Sequence, residues 1–334
     1  MLDVFNGSAF QTTSLTAAIL KIPYQPSRIR ELGLFQEQGI RTITAVVEEK
    51  DGQLTLIQTS QRGGVGANLG NTKRTVRSFA VPHLEKNTSI YADEVQGIRA
   101  FGSETEIQTV QGIVDARLAI LRAKHDVTLE HMRVGAIQGL VKDADNATLF
   151  DLFDEFDVAQ QSAQLTPNSS SDNGNAVRNQ VVAAQRLVEA ELGATPITTY
   201  RAFCGKDFFD DLRSDLGITQ TLRYADPASL LQQEANVRRF SFAGVAWEEY
   251  RGSMGGNPFV PDAEGYLFPE GAPIFWTYFA PADFIEAVNT MGLPLYAKIV
   301  QDDDLNRSVK VHTQCNPLVL CVRPRAVIKL TLGT

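Results

Sequence analysis

The sequence predicts an α+β protein organised around one very long helix. Three observations carry this reading. An apolar stripe at helical spacing runs through residues 104–138. Extended runs surround a glycine-rich tip within residues 41–95. Strand-forming segments return at the end of the chain after a mixed region of short helices and strands. The 334 residues are 43% hydrophobic and 21% charged, the balance of a folded protein and not of a disordered one. Glycine has no period and there are three cysteines, which excludes collagen-like and disulfide-scaffold classes. The length predicts roughly two domains.

The long helix is the clearest local signal. Ser103 and Glu106 have the spacing of a capping box, in which each side chain satisfies a free N–H at a helix start. Ile107, Val110, Val114, Leu118, Leu121, Leu129, Met132 and Ala136 follow at intervals of threes and fours, with His125 filling the one gap. Gly139 is the expected stop. A helix from Glu104 to about Gln138 would be about 52 Å long. A compact globule of this size would be only about 50 Å across. A flat or elongated subunit is therefore expected, with apolar edges that neighbouring copies must cover.

The remaining elements follow in order. Leu15, Ala18, Ile19 and Ile22 predict a short helix before Pro23 and Pro26, within a polar arm of residues 1–40. Arg41–Glu49 and Gln53–Ser60 read as strands joined by Asp51-Gly52, a tight-turn signal. Four glycines between 63 and 70 make a loop tip. Lys73–Val81 and Ser89–Ala92 are again extended. Leu149–Val158 alternates apolar and acidic residues and reads as a strand with one acidic face. Ser162–Asn175 is rich in Ser, Asn, Asp, Pro and Gly and reads as a linker. Ala176–Leu192 predicts a helix, Thr198–Cys204 a strand, Lys206–Leu216 a helix with Phe208, Phe209, Leu212 and Leu216 inward, and Phe240–Tyr250 a strand. Gly265–Leu267, Ile274–Phe279 and Val309–Leu332 are extended, with Pro317 and Pro324 marking bulges or an edge.

Charge and motif tests exclude several functions. A net charge of −8 is wrong for a protein whose task is to grip nucleic acid. No run of 18 apolar residues occurs, so no membrane-spanning helix is expected. Met1–Lys21 lack the charged start and apolar centre of a signal peptide. Gly63–Lys73 fails the phosphate-loop spacing, because Gly70 is followed by Asn71 and Thr72 before Lys73, and Arg74–Val81 reads as strand where a helix would be needed. His125 and His131 lie about 240° apart around a helix and cannot chelate one metal. Asp302-Asp303-Asp304 starts like a calcium loop, but Arg307 and Thr313 stand where Gly and Glu are required. No nucleophile elbow or redox cysteine pair occurs. Cys315 and Cys321, about 20 Å apart on an extended strand, are too far for a disulfide; with Cys204 they are expected to be free and buried. No catalytic, cofactor-binding or metal-binding residue is expected.

The order of elements carries the resemblance. The segment Pro26-Ser27-Arg28-Ile29-Arg30-Glu31-Leu32-Gly33-Leu34-Phe35, the hairpin Glu48-Glu49-Lys50-Asp51-Gly52 leading into Arg62-Gly63-Gly64, and the terminal Asn316-Pro317-Leu318-Val319-Leu320 resemble the major head proteins of lambda-type tailed bacteriophages, the major capsid protein E family, and through it the Hong Kong 97 capsid fold. The resemblance covers nearly the whole chain and is not chemical. It implies a capsid subunit that assembles as hexamers and pentamers into an icosahedral head, built in the host bacterial cytoplasm and enclosing double-stranded DNA without sequence-specific binding. Residues 1–40 would be the N-terminal arm and 41–95 would carry the extended β loop. Residues 96–160 with 312–334 would form the peripheral domain, 161–175 a linker, and 176–311 the α/β axial domain. Implied partners are other copies of the chain, a portal, a scaffold and protease, and a decoration protein. With no charged coiled-coil segment ahead of the fold, the scaffold is expected to be a separate protein.

Within that picture, the basic residues Arg62, Lys73, Arg74 and Arg77 and the acidic residues Asp151, Asp154, Glu155 and Asp157 are candidate intersubunit contacts, since opposite charges fix register between copies. Two rivals stand beside it: an α/β enzyme with a dispersed site, and another phage structural component of the tail or of the head's decoration.

Overall fold

The computed structural model describes residues 12–21, 27–50, 74–91, 94, 110–167, 175–225, 238–254, 256–301 and 308–333. In chain order the elements are α1 (Thr12–Lys21), α2 (Arg28–Glu31), β1 (Gln36–Gly39), β2 (Thr44–Lys50), β3 (Arg74–Ala80), β4 (Leu84–Tyr91), α3 (Val110–Gln138), β5 (Leu140–Lys142), β6 (Thr148–Asp151), α4 (Leu152–Phe156), β7 (Gln161–Leu165), α5 (Asn175–Leu192), β8 (Thr199–Cys204), α6 (Lys206–Ser214) and α7 (Leu216–Ala225). Then come β9 (Arg239–Phe242), β10 (Val245–Glu249), β11 (Ser253–Met254), β12 (Asn257–Pro258), β13 (Glu264–Glu270), β14 (Phe275–Phe279), β15 (Tyr296–Gln301), β16 (Ser308–Cys315), β17 (Pro317–Cys321) and β18 (Ile328–Leu332), with short 3-10 turns at Ile285–Ala287 and Pro324–Ala326. The chain divides into two compact units. One is drawn from Met1–Val47, Arg77–Glu130 and Trp276–Val319, the other from Glu48–Val76, His131–Phe275 and Leu320–Thr334.

In the first unit, β16 is the centre of a three-stranded antiparallel sheet ordered β15-β16-β4, with Val311 opposite both Ile299 and Thr88. The predicted stripe of α3 is buried here at Val114, Leu118, Leu121, His125 and Leu129. Helix α1 lies along β15. Its Thr16 hydroxyl accepts from Ala297 N–H at 3.2 Å and donates to Ala297 C=O at 3.3 Å. A single side chain thus satisfies both backbone groups that an edge strand leaves open. Strand β2 pairs with β3, and Val81 N–H donates to Ile43 C=O at 3.1 Å. The expected partner of β2, Gln53–Ser60, lies outside the described residues, as do the glycine tip, the capping box at Ser103 and the Asp302 turn.

The second unit is a six-stranded mixed sheet ordered β7-β18-β13-β8-β10-β9. Helices α5 and α6 cover one face, where Phe208 packs against the bare Cα of Gly265. On the other face Phe203, Tyr250 and Phe268 make a cluster of tilted and edge-on rings. Beside it the Arg201 guanidinium bonds Glu248 at 2.8 Å and also pairs with Glu270.

The structure corrects several sequence expectations. Leu149–Val158 is not one acidic strand. Its start is β6, and the Asp151 carboxylate then accepts from the N–H groups of Phe153 and Asp154, capping the short helix α4. Leu152 and Phe156, four apart, are buried, and Asp157 ends the turn in the left-handed region at φ 54°. Phe240–Tyr250 is a hairpin, turned at Ala243 and Gly244 with φ of 51° and 76°. The expected linker 161–175 begins with strand β7, which pairs in parallel with β18 about 165 residues further on, a contact no local pattern can announce. Leu216 does not extend α6 inward: Asp215 breaks the helix, and Leu216 opens α7 with 67% of its surface exposed. The terminal run Val309–Leu332 is three strands, with Pro317 starting β17 and Pro324 in a 3-10 turn. The block 312–334 also divides. Residues 312–319 group with the first unit, while β18 is an inner strand of the second unit's sheet.

The end of α3 supplies a test. Gly135 sits where a Cβ would lie 2.6 Å from Leu140 C=O and 3.2 Å from Val141 Cα, because the chain reverses at Gly139 (φ 84°) into β5. Gly135→Ala gains about 1 kcal/mol of helix propensity but forces overpacking that costs about 1–3 kcal/mol. The variant is expected to have a lower denaturation midpoint than the wild type; a raised midpoint would mean that β5 moves aside freely.

Candidate assembly surfaces

Three charged side chains of α3, Arg122, Asp126 and Glu130, are buried beside the apolar stripe, and two of them reach the N-terminal segment of the first unit. Arg122, 7% exposed, donates to the C=O of Ile19, one of the terminal carbonyls that α1 cannot satisfy itself, and pairs with Asp126 at 3.5 Å. Glu130 accepts from Ile29 N–H at 2.9 Å, at the start of α2, where the N-cap residue Ser27 makes no side-chain cap. Long helix and N-terminal segment are thus fastened by charged groups at both ends of the connection. Sequence reading singled out only His125 here. The signal it passed over was the i, i+4 run Arg122, Asp126, Glu130 immediately beside the stripe.

His125 Nε2 lies 3.0 Å from Thr313 Oγ1, and that hydroxyl donates to Lys86 C=O at 2.7 Å. The hydroxyl has one proton, so it must accept from the imidazole, which fixes the neutral Nε2–H tautomer. Burial, with repulsion from His312, lowers the His125 pKa from 6.5 to about 4. Asn316, in the predicted terminal signature, is also structural: its amide donates to Pro281 C=O at 2.8 Å.

The charged residues expected to meet a neighbouring copy are placed as follows. Arg62 and Lys73 lie outside the described residues. Arg74 begins β3, and Arg77, on the same strand, is half-buried. Asp151 is occupied in capping α4, whereas Asp154, Glu155 and Asp157 are exposed. Arg77 and the acidic residues belong to separate units.

Two cavities are lined by described residues of a single unit each. An enclosed space of about 20 Å³ beside Arg30, Glu37, Arg122, His125 and Asp126 is sized for one water. A broad open groove of about 470 Å³ runs past Gln185, Glu189, Thr195, Thr198 and Tyr200, where the Tyr200 hydroxyl donates to Glu189 at 2.9 Å. Among the described residues no group of His, Cys, Asp and Glu is placed to hold a metal ion, and no helix is long and apolar enough to cross a membrane. Cys204, Cys315 and Cys321 are buried and form no disulfide; burial pushes the Cys321 thiol up to about 12 and raises Cys204 as well.

The fold of this chain is similar to that of subunits in solved phage capsids. The chain resembles a subunit of the mature capsid of bacteriophage PhiM1 (TM-score 0.52, 14% identity, 93% of this chain and 89% of that one) and one from the head of Helicobacter pylori bacteriophage KHP40 (TM-score 0.52, 10% identity, 90% and 87%). The fold is the Hong Kong 97 capsid fold. The family model described as phage major capsid protein E matches residues 11–332, and the chain belongs to that family. It is 27% identical to the major capsid protein of Pseudomonas phage KPP10, over 96% of both chains, and 25% identical to that of Salmonella phage Felix O1, over 98% of both. It is a structural major capsid protein of a phage and not an enzyme.

The His125 site predicts a pH dependence. A histidine depressed in the folded state binds its proton more readily when unfolded, so its contribution to stability is complete above pH 6.5 and is lost as pH falls towards 4. The loss is on the order of 3 kcal/mol from this group. His125→Gln is expected to flatten the urea-midpoint profile between pH 6.5 and 4; a slope identical to that of the wild type would place the acid sensitivity elsewhere.

Proposed function

We propose that copies of this chain close into an icosahedral head of hexamers and pentamers, assembled in the host bacterial cytoplasm around double-stranded DNA. The observation that carries this reading is the family match across residues 11–332, joined by near full-length relatives that are themselves major capsid proteins. On this reading the second unit is the axial domain. The first unit combines the N-terminal arm with part of the peripheral domain, and residues 41–95 carry the extended loop that overlaps a neighbour. The net charge of −8 favours containment of DNA without adhesion, because acidic residues outnumber the basic ones that would neutralise phosphates. A portal, a scaffold with its protease and a decoration protein complete the implied set of partners.

Electron microscopy of the purified chain, alone and co-expressed with its scaffold, tests the reading: capsomer rings or closed shells are expected, and a stable monomer at high concentration under both conditions would overturn it. The role of the charged tracts has its own test. Reversing Arg74 and Arg77 to Glu is expected to reduce particle yield and to alter its dependence on salt. If yield and salt dependence stay unchanged, these residues are not contacts between copies.

A further inference from the structure

We propose that the segment Phe284–Leu293, in the first unit, is a preformed apolar contact face for a second copy of this chain. The inference rests on the shell reading above and adds to it a surface that the charged tracts did not point to. Four large apolar side chains project from this short segment: Ile285 is 90% exposed, Val288 62%, Met291 49% and Leu293 38%. From Phe284 to Ala297 the only charged residue is Glu286. Its carboxylate is held by Lys298 at 3.0 Å, and the same ammonium sits over the Phe284 ring. A surface depleted of charge and carrying methionine has the composition of an interface core.

The backbone beneath these side chains is fixed, which separates this face from a loop that exposes apolar groups by chance. The Tyr296 hydroxyl accepts from Leu293 N–H at 2.9 Å and donates to Met291 C=O at 3.4 Å. Thr290 donates from its hydroxyl to Ala287 C=O at 2.7 Å, and Gly292 N–H donates to Ile40 C=O at 2.9 Å. At Gly292 the chain runs so close to Phe279 that a Cβ would collide with its carbonyl. Ala282, Ala287 and Tyr296, backed by Phe284, form a small core under the turn. The segment points its apolar groups outward from a rigid seat, so binding would cost little ordering entropy.

The occupant follows from charge and number. A nucleic acid would need cations, and the one lysine here is already paired. A subunit of a closed shell meets copies of itself on several sides, and such permanent contacts are the more apolar ones. The face alone is smaller than a complete interface, so it acts as one contact among several.

Two variants test the proposal. Ile285→Asp should leave the circular dichroism spectrum and the denaturation midpoint unchanged, since the side chain is exposed, while lowering particle yield at least tenfold. In Ile285→Cys, with Val288→Cys as a second probe, maleimide labelling should be at least tenfold slower in assembled particles than in the unassembled chain. The native cysteines are buried and give little background. Wild-type particles together with unhindered labelling and normal assembly of Ile285→Asp would overturn this contact and leave the shell reading intact. Protection that appears only when another virion protein is added would assign the face to that protein and overturn the self-contact. A wild type that never assembles would overturn both.

Discussion

The fold depends on how α3 satisfies a polar flank inside a protein core. Arg122, Asp126 and Glu130 are too buried to be solvated, and a buried charge without partners is costly. The solution is to spend them on backbone groups that other short helices leave open: the Ile19 carbonyl for Arg122 and the Ile29 amide for Glu130. Each contact removes two liabilities together, an unpaired side chain and an unpaired helix end. The N-terminal segment is therefore a component of the first unit's core and not a loose extension, at least from Thr12 to Lys21 and from Ser27 onwards.

Local sequence signals were sufficient where one element decides its own structure. The stripe of α3 and the helix α5 with Val177, Val181, Ala184 and Val188 inward have clear helical periods, and the extended runs at β3 and β8 were read from their residue types. They failed where two periods fit equally well or where the partner is remote. Leu152, Phe153 and Phe156 satisfy a strand or a helix, and the Asp151 cap decides between them. Strand β7 has no β-branched residue and exists because β18 pairs with it. Tertiary pairing of this kind overrides propensity.

The candidate contacts were legible to different degrees for the same reason. Charge tracts stand out in a sequence, yet their value depends on what each carboxylate is already doing; Asp151 is consumed by its own helix. The apolar face at Phe284–Leu293 was invisible, because its residues follow no period and read as an ordinary turn. Only the exposure of Ile285 and Val288 above a pinned backbone distinguishes them from core.

The three thiols bear on the durability of any particle built from this chain. Cys204, Cys315 and Cys321 are sealed within their own subunits, and burial holds at least Cys204 and Cys321 in the unreactive protonated form. A change from reducing to oxidising surroundings would therefore give them little opportunity to link, scramble or oxidise. A coat made of such subunits would be indifferent to redox conditions and would owe its endurance to packing between copies.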